Sequence, residues 1–362
     1  MTSLHQTFRQ LHDPRINRKK KHLLLDIIIL SILAVLCGAE SYDSIELFGK
    51  TNYAFLKQIL KLPHGIPSHD TINRVFSILN SSQFERLFIQ WSSNLKKDGA
   101  LEQVIAIDGK TVCGSKDTFH NTSPIHLVHA WSVENNMCLG QLKTETKSNE
   151  ITAIPQILDL LEIKGSIITI DAMGTQKAIA EKIIKKEAHY ILAVKDNQKA
   201  LHEEVQAACK RYSPIADVSE TDKGHGRIGI RRCQVFEKGI MVDDENNWKG
   251  LQAIIKITST REIRDKVTTE ERYYISDLDT MQPFNTFIRN HWEVENKLHW
   301  TLDMVFREDE QRKRIKHAAE NFAIVRKIAL NILKKDSGKE SLISKHLKAA
   351  WDKDFLLSLM KI

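Results

Sequence analysis

Residues 104–108 read VIAID and residues 166–171 read SIITID, and the fold turns on these two stretches. Each is a short apolar run rich in β-branched residues that ends in an acid, Asp108 before Gly109-Lys110 and Asp171 before Ala172-Met173-Gly174. That is the pattern of a buried strand delivering a carboxylate where the chain leaves a sheet. Between them HLVHAWSV and MCLGQL, parted by the turn-like Glu134-Asn135-Asn136, complete a three-stranded meander. An amphipathic helix over 150–161 then leads into SIITID, and a second over 176–187 leads into HYILAV. Three hairpin-connected strands followed by two strands reached over helical crossovers predict a mixed five-stranded sheet with helices on its faces.

This β-β-β-α-β-α-β order resembles an RNase H-like core, so the fold class is α/β. After a further helix, ending near residue 209, candidate strands over 228–236, 251–258 and 272–276 with polar breaks between them read as a β-rich insertion at about residues 210–278. The helical period returns from Pro283 and runs, with an interruption at 307–314, through 318–333. Ahead of the first strand the pattern is helical, punctuated at His12-Asp13-Pro14 and at residues 63–67, and SHDTINRVFSIL has a helix start at Ser68. The expected organisation is an all-helical N-terminal unit over 1–100, the α/β domain over 101–335, and a C-terminal tail with a short helix over 336–362. No internal repeat or low-complexity tract interrupts it.

With 42% hydrophobic and 27% charged residues in a chain of 362, the composition is globular and excludes collagen-like, mucin-like and wholly disordered chains. The 53 Lys and Arg against 46 Asp and Glu leave a formal charge of +7, which favours nucleic acid or an anionic surface. Cys37, Cys113, Cys138, Cys209 and Cys233 form no C-x-x-C pair and are odd in number, against a disulfide framework or a thiolate zinc site and in keeping with a reducing cytosol. The run LLLDIIILSILAVLC over 23–37 contains Asp26 and falls short of the ~20 apolar residues of a spanning helix. It reads as a buried core helix, with a membrane anchor as the alternative.

For Asp108 or Asp171 alone, a helix cap or turn role competes with a chemical one. As a pair they stand where ligands bind in open α/β sheets, outside the carboxyl ends of strands, and two acids so placed can share a hard divalent cation. A third acid is expected from a helix crossing that edge. In HWEVENKLHWTLDMVFRED, residues 291–309, Glu295, His299, Leu302 and Asp303 fall on one face at α-helical spacing, with Trp292, Leu298 and Trp300 as candidate anchors. An exposed polar pair is the competing reading of Glu295 and His299. H-E-x-x-H is missing, which argues against zinc, and Tyr273 and Tyr274 in YYIS read as packing residues rather than nucleophiles.

IDGKTVCGS, KSNEITAIPQIL, IDAMGTQ, LAVKDNQ, GHGRIGIRR, YYISDL and NHWEVENKLHWTLDMVFRED occur in this order. Together they resemble the motifs of the H-repeat-associated DDE transposases of ISAs-type insertion sequences, over residues 13–334. The resemblance implies an RNase H-like catalytic domain with a β insertion before its last catalytic helix, and Asp108, Asp171 and Glu295 as an acidic triad. Three such carboxylates would hold two Mg²⁺ or Mn²⁺ ions and serve both hydrolysis at element ends and strand transfer by the freed 3′-hydroxyl. Further implications are double-stranded DNA partners (element ends and target), a DNA-binding helical N-terminal unit, a homodimer in the DNA complex and a bacterial cytosolic setting. Two positions depart from the family pattern: Cys113, where Arg is expected, and Thr175, where Cys is expected. A degenerate DNA-binding protein without transposition activity and a structure-directed nuclease are the alternatives.

Positive charge is clustered. Arg15, Arg18, Lys19, Lys20 and Lys21 crowd one stretch and Arg312, Lys313, Arg314 and Lys316 another, while Lys110, Lys143, Lys147, Lys195 and Arg227 lie within the motifs. Phosphate contact is the expected role of Lys110, Lys195, Arg227, Arg312, Lys313, Arg314, Arg15, Arg18 and Lys19, with Lys195 ranked first because it follows a strand of the same sheet. A solvated face or, for Arg227, a polar hairpin is the competing reading. Trp292, His299 and Asp303 are expected to support the acidic site.

Overall fold

The computed structural model describes residues 3–95, 103–144, 149–224, 227–240, 248–263 and 266–361. The chain forms two compact units, one built from Met1–Asp98, Gly109–Asn149 and Glu295–Ile362 and the other from Gly99–Asp108 and Glu150–Val294. The strands are β1 (Val104–Thr111), β2 (His126–Ser132), β3 (Met137–Thr144), β4 (Ile167–Ile170), β5 (His189–Val194), β6 (Ala216–Gly224), β7 (Arg227–Glu237), β8 (Ala253–Ile263) and β9 (Lys266–Ser276). The first four residues of β1 pair in parallel with β4, from Val104 with Ile167 to Ile107 with Ile170, and β4 pairs in parallel with β5. The pairing order is β3-β2-β1-β4-β5, as expected of an RNase H-like core.

The sheet does not stop at five strands. β9 runs antiparallel to β5, and β8, β7 and β6 follow, so the inserted strands extend the same sheet to nine. Asp277 anchors this junction by accepting from the Tyr190 amide at 2.6 Å and bonding the His189 ring at 2.7 Å. β6 is not among the strands expected from the sequence, because ADVSETDKG lies on the open edge with nearly every residue exposed and no buried face imposes alternation. Tyr273 and Tyr274 are buried in β9, as packing residues should be.

In the unit that holds the termini, the helix Leu24–Leu36 is buried on all sides. An all-round apolar helix belongs in a core, and each fully buried aliphatic side chain here contributes about 2 kcal/mol. Asp26 is tolerated because its carboxylate accepts from the Leu62 amide at 2.8 Å. No described helix is long and apolar enough to cross a membrane. Ser68 caps the helix His69–Ile78 by accepting from the Thr71 amide, and Ile72, Val75 and Phe76 form its buried face.

The long helix Ala318–Lys335 packs against Leu24–Leu36, His69–Ile78, Ser81–Asn94 and β3. A bulge in β3 opposite Ala130 and Trp131 leaves Leu139 without a strand partner. Ser92 donates to the Leu139 carbonyl at 2.7 Å, while Asn331 takes both backbone groups of Cys138, at 2.9 and 2.7 Å. Asn331→Ala is therefore expected to leave a buried N–H and C=O unpaired and to cost about 3 kcal/mol. A urea midpoint unchanged from the native chain would show that this bulge clasp contributes nothing.

Candidate active site

Asp108 and Asp171 lie one residue beyond the paired Ile107 and Ile170, at the carboxyl ends of neighbouring parallel strands. Both are partly exposed. Asp171 opens the short turn Ala172–Gly174, and its Oδ1 accepts from the amides of Met173 and Gly174 at 3.1 and 3.3 Å. The turn is tightly seated, since a Cβ on Gly174 would strike the Ile170 and Ile154 side chains. Thr175, which departs from the expected Cys, donates to the Ala193 carbonyl at 2.6 Å and so fastens the turn to β5.

Burial, and then the negative charge of Glu150, raise the Asp171 carboxyl above its ordinary range, against the two amide hydrogen bonds and the Lys195 ammonium. Glu150 is buried at the start of the helix Glu150–Leu160. It does not stand out in the sequence, where an acid opening a helix reads as an ordinary N-terminal charge. Lys195 is exposed just past β5, near enough for its charge to act on Asp171.

Glu295 begins the third segment of the other unit and is exposed. It lies in a π-helical turn, Val294–His299, which alters the expected α-helical face. An i→i+5 turn takes more residues per revolution than an α-helix, so residues four apart fall out of line. Glu295 faces solvent, whereas His299 turns inward and bonds His129 through Nε2 and Nδ1 at 3.1 Å. Among the described residues, no group of three His, Cys, Asp or Glu side chains is drawn together closely enough to hold a metal ion. Leu298 is fully buried, Trp292 carries the Arg272 guanidinium at 4.5 Å from its ring centroid, and Trp300 is exposed and so is not the anchor expected of it.

Several of the expected phosphate contacts are interior groups. Lys110 is 7% exposed and reaches Asp303 at 2.8 Å and Asp309 at 3.0 Å. Its nearest carboxylate partners, Asp303 and Asp309, are only partly buried, and with the buried Glu308 they close over the Lys110 ammonium so that it is not an open cationic surface. Lys313 is buried over the Phe322 and Tyr42 rings and donates to the Glu40 carbonyl at 2.8 Å; burial lowers its pKa to about 6. Arg15 is held by Asp13, with Nε and Nη2 at 2.9 and 2.8 Å from its two carboxylate oxygens. Arg18, Arg312 and Arg314 are exposed, as phosphate contacts must be, and the Lys19 and Arg227 side chains lie outside what is described.

The family model described as "Transposase DDE domain" matches residues 99–332, and that described as "DDE_Tnp_1-associated" matches residues 5–92. The chain belongs to the DDE transposase family. Two Escherichia coli (strain K12) relatives align with this transposase over nearly its whole length. "H repeat-associated putative transposase YhhI" is 43% identical over 96% of this chain and 95% of its own. "Putative protein YbfL" is 43% identical over 94% and 93%. A cryo-EM structure of piggyBac transposase in a synaptic complex with hairpin DNA aligns at a TM-score of 0.47 and 10% identity, over 99% of this chain and 77% of that one. The enzyme is a DDE-type transposase, its partner is DNA, and the family's chemistry generally uses divalent metal ions.

Burial lowers the His299 pKa to about 3, with the Lys110 and Lys327 charges adding to the effect, so this ring is neutral in the folded transposase. Once unfolded, it regains an ordinary value near 6.5. The unfolded chain then binds more protons between these values, and stability falls as pH drops through the window. At about pH 5 the His299 contribution should be a loss of about 2 kcal/mol relative to neutral pH. His299→Gln should flatten urea midpoints across this range; equally steep curves for both proteins would rule the ring out as a source of acid sensitivity.

Proposed function

We propose that this transposase hydrolyses phosphodiester bonds at the ends of its own mobile element and then joins the freed 3′-hydroxyl to target DNA. Asp108, Asp171 and Glu295 are the acids of that reaction, holding two Mg²⁺ or Mn²⁺ ions. The observation that carries the reading is the placement of Asp108 and Asp171 at the carboxyl ends of adjacent parallel strands, one residue past a matched register. The donor chemistry fits hard cations, because carboxylates from separate elements stand at this edge and Asp171 is already raised by burial and by Glu150. When bound, such ions would neutralise charge at the scissile phosphate and make water or a 3′-hydroxyl a better nucleophile.

The chain's own groups do the positioning. The Met173 and Gly174 amides hold one oxygen of Asp171, and the tight turn keeps that carboxylate at the strand end. The exposed Lys195 steadies the DNA backbone beside the acids. Arg18, Arg312 and Arg314 contact phosphates further out, with the helical N-terminal residues binding the element ends. A homodimer brings two ends together, and the reaction takes place in the cytosol.

Glu295→Gln and Asp108→Asn should each reduce cleavage and joining to background with Mg²⁺, on duplexes taken from the DNA flanking the coding region, while gel-shift affinity for those duplexes stays near normal. A variant that joins a pre-nicked end at the native rate would remove that acid from the shared site. Replacing Arg18, Arg312 and Arg314 by Ala should flatten the salt dependence of binding by roughly 0.9 in log–log slope for each phosphate that the arginines neutralise. An unchanged slope would place those arginines on a merely solvated face.

A further inference from the structure

Lys110 lies two residues beyond Asp108 in β1, and Asp303 lies two helical turns beyond Glu295. We propose that the Lys110 ammonium, clasped by Asp303 and Asp309, is a positioning device that clamps the strand end carrying Asp108 to the helical segment carrying Glu295. The inference rests on the reading of these acids given above.

An exposed lysine that touches phosphate needs water around its head group; Lys110 has a carboxylate cage instead. Its Nζ stands 2.8 Å from Asp303, 3.0 Å from Asp309 and 3.9 Å from Glu308. Glu308 is fully buried and also faces Arg326 at 3.6 Å and Lys327 at 3.7 Å. Lys110, Arg326 and Lys327 thus oppose Asp303, Glu308 and Asp309, and the charges balance three against three. Buried charges persist only when paired.

Arg326 and Lys327 belong to the long helix Ala318–Lys335, which is buried from Ala318 to Leu333, so the cluster is rooted in the interior of this unit. A second contact bears on the same seam. The Cys113 amide donates to Asp309 Oδ1 at 3.0 Å, and a Cβ on Gly114 would collide with the Asp309 and Gln311 carbonyls. The turn after β1 is therefore pressed, backbone to backbone, against the turn Glu308–Glu310. Asp309 ties together both halves of the seam, because the same oxygen takes the Cys113 amide and the Lys110 ammonium. A compact ammonium can direct its three N–H bonds to several carboxylates, whereas a planar guanidinium fork cannot fill the same cage.

The test uses the full chain with Fe²⁺ in place of Mg²⁺ and added hydrogen peroxide and ascorbate, so that peroxide reduced by a bound ion yields hydroxyl radicals that cut the nearby backbone, ascorbate returning the ion to Fe²⁺. In the native protein, cuts are expected beside residues 108, 171 and 295. In Lys110→Met, which keeps length and removes charge, the cut beside 295 should fall about tenfold, the loss typical of removing a group that orients a metal ligand. Cuts beside 108 and 171, gel-shift affinity for the flanking-DNA duplex and its salt dependence should remain. Lys110→Arg should behave like Lys110→Met.

If Lys110→Met fails to fold, Lys110→Met combined with Asp309→Asn removes one charge of each sign and carries the same expectation. Undiminished cutting beside 295 in a folded variant overturns the clamp. Weaker DNA binding with a flatter salt slope and unchanged cutting makes Lys110 a phosphate contact and overturns it as well. A native chain cut at none of the three positions removes the acidic site itself, and the clamp with it.

Discussion

The parallel pairing of Val104–Ile107 with Ile167–Ile170 is the constraint on which the chemistry depends. Parallel strands bring residues of equal register to the same end of a sheet, and a chain can achieve this only by crossing over through intervening structure. Here that crossover includes the β2–β3 hairpin and the helix Glu150–Leu160, and it delivers two aspartates from distant parts of the sequence to one edge. Val104–Ile107 and Ile167–Ile170 are buried on both faces, so the close packing of their side chains, rather than a contrast between a buried and a solvated face, holds this register.

A second constraint acts on charge. The helix Ala318–Lys335 carries Arg326 and Lys327 into the interior, where an unpaired ammonium or guanidinium would be prohibitive. Burial pushes the Glu308 carboxyl up, but the nearby Lys327, Arg326 and Lys110 charges more than offset this and leave it below its ordinary range. Lys110 moves in the opposite sense from a simply buried lysine, since Glu308 and Asp303 outweigh the cost of its burial and raise its pKa. The charged forms of Lys110 and Glu308 are thus each favoured by the opposite charges around them. The turn Glu308–Glu310 is short and acidic, and in isolation Glu308 would have little reason to be buried.

The core strands were legible because buried strands leave a chemical record. VIAID, SIITID and HYILAV are apolar on both faces and stop at turn residues, and the helix Leu24–Leu36 announces its burial by having no polar face. The edge strand Ala216–Gly224 left no such record, since water accepts any polar residue. The positions of Asp108 and Asp171 were legible for the same reason as the strands that carry them. The phase of Glu295 and His299 was not, because a π-turn has no spacing signature distinct from that of the α-helix around it.

Residue type and spacing alone determined the α/β class, the succession of strands and helices along the core and the candidate acids, since burial of a strand or helix imposes periods that a single segment can display. Only the tertiary structure decided which cations are surface groups. Lys110, Lys313 and Arg15 look like phosphate contacts in the sequence, yet Asp303 and Asp309, the Glu40 carbonyl and Asp13 engage them. Most of these partners are far away in the chain. A basic residue carries the same charge in a solvated cluster as in a buried ion pair, so its role is set by the groups that folding brings around it and the water that folding takes away.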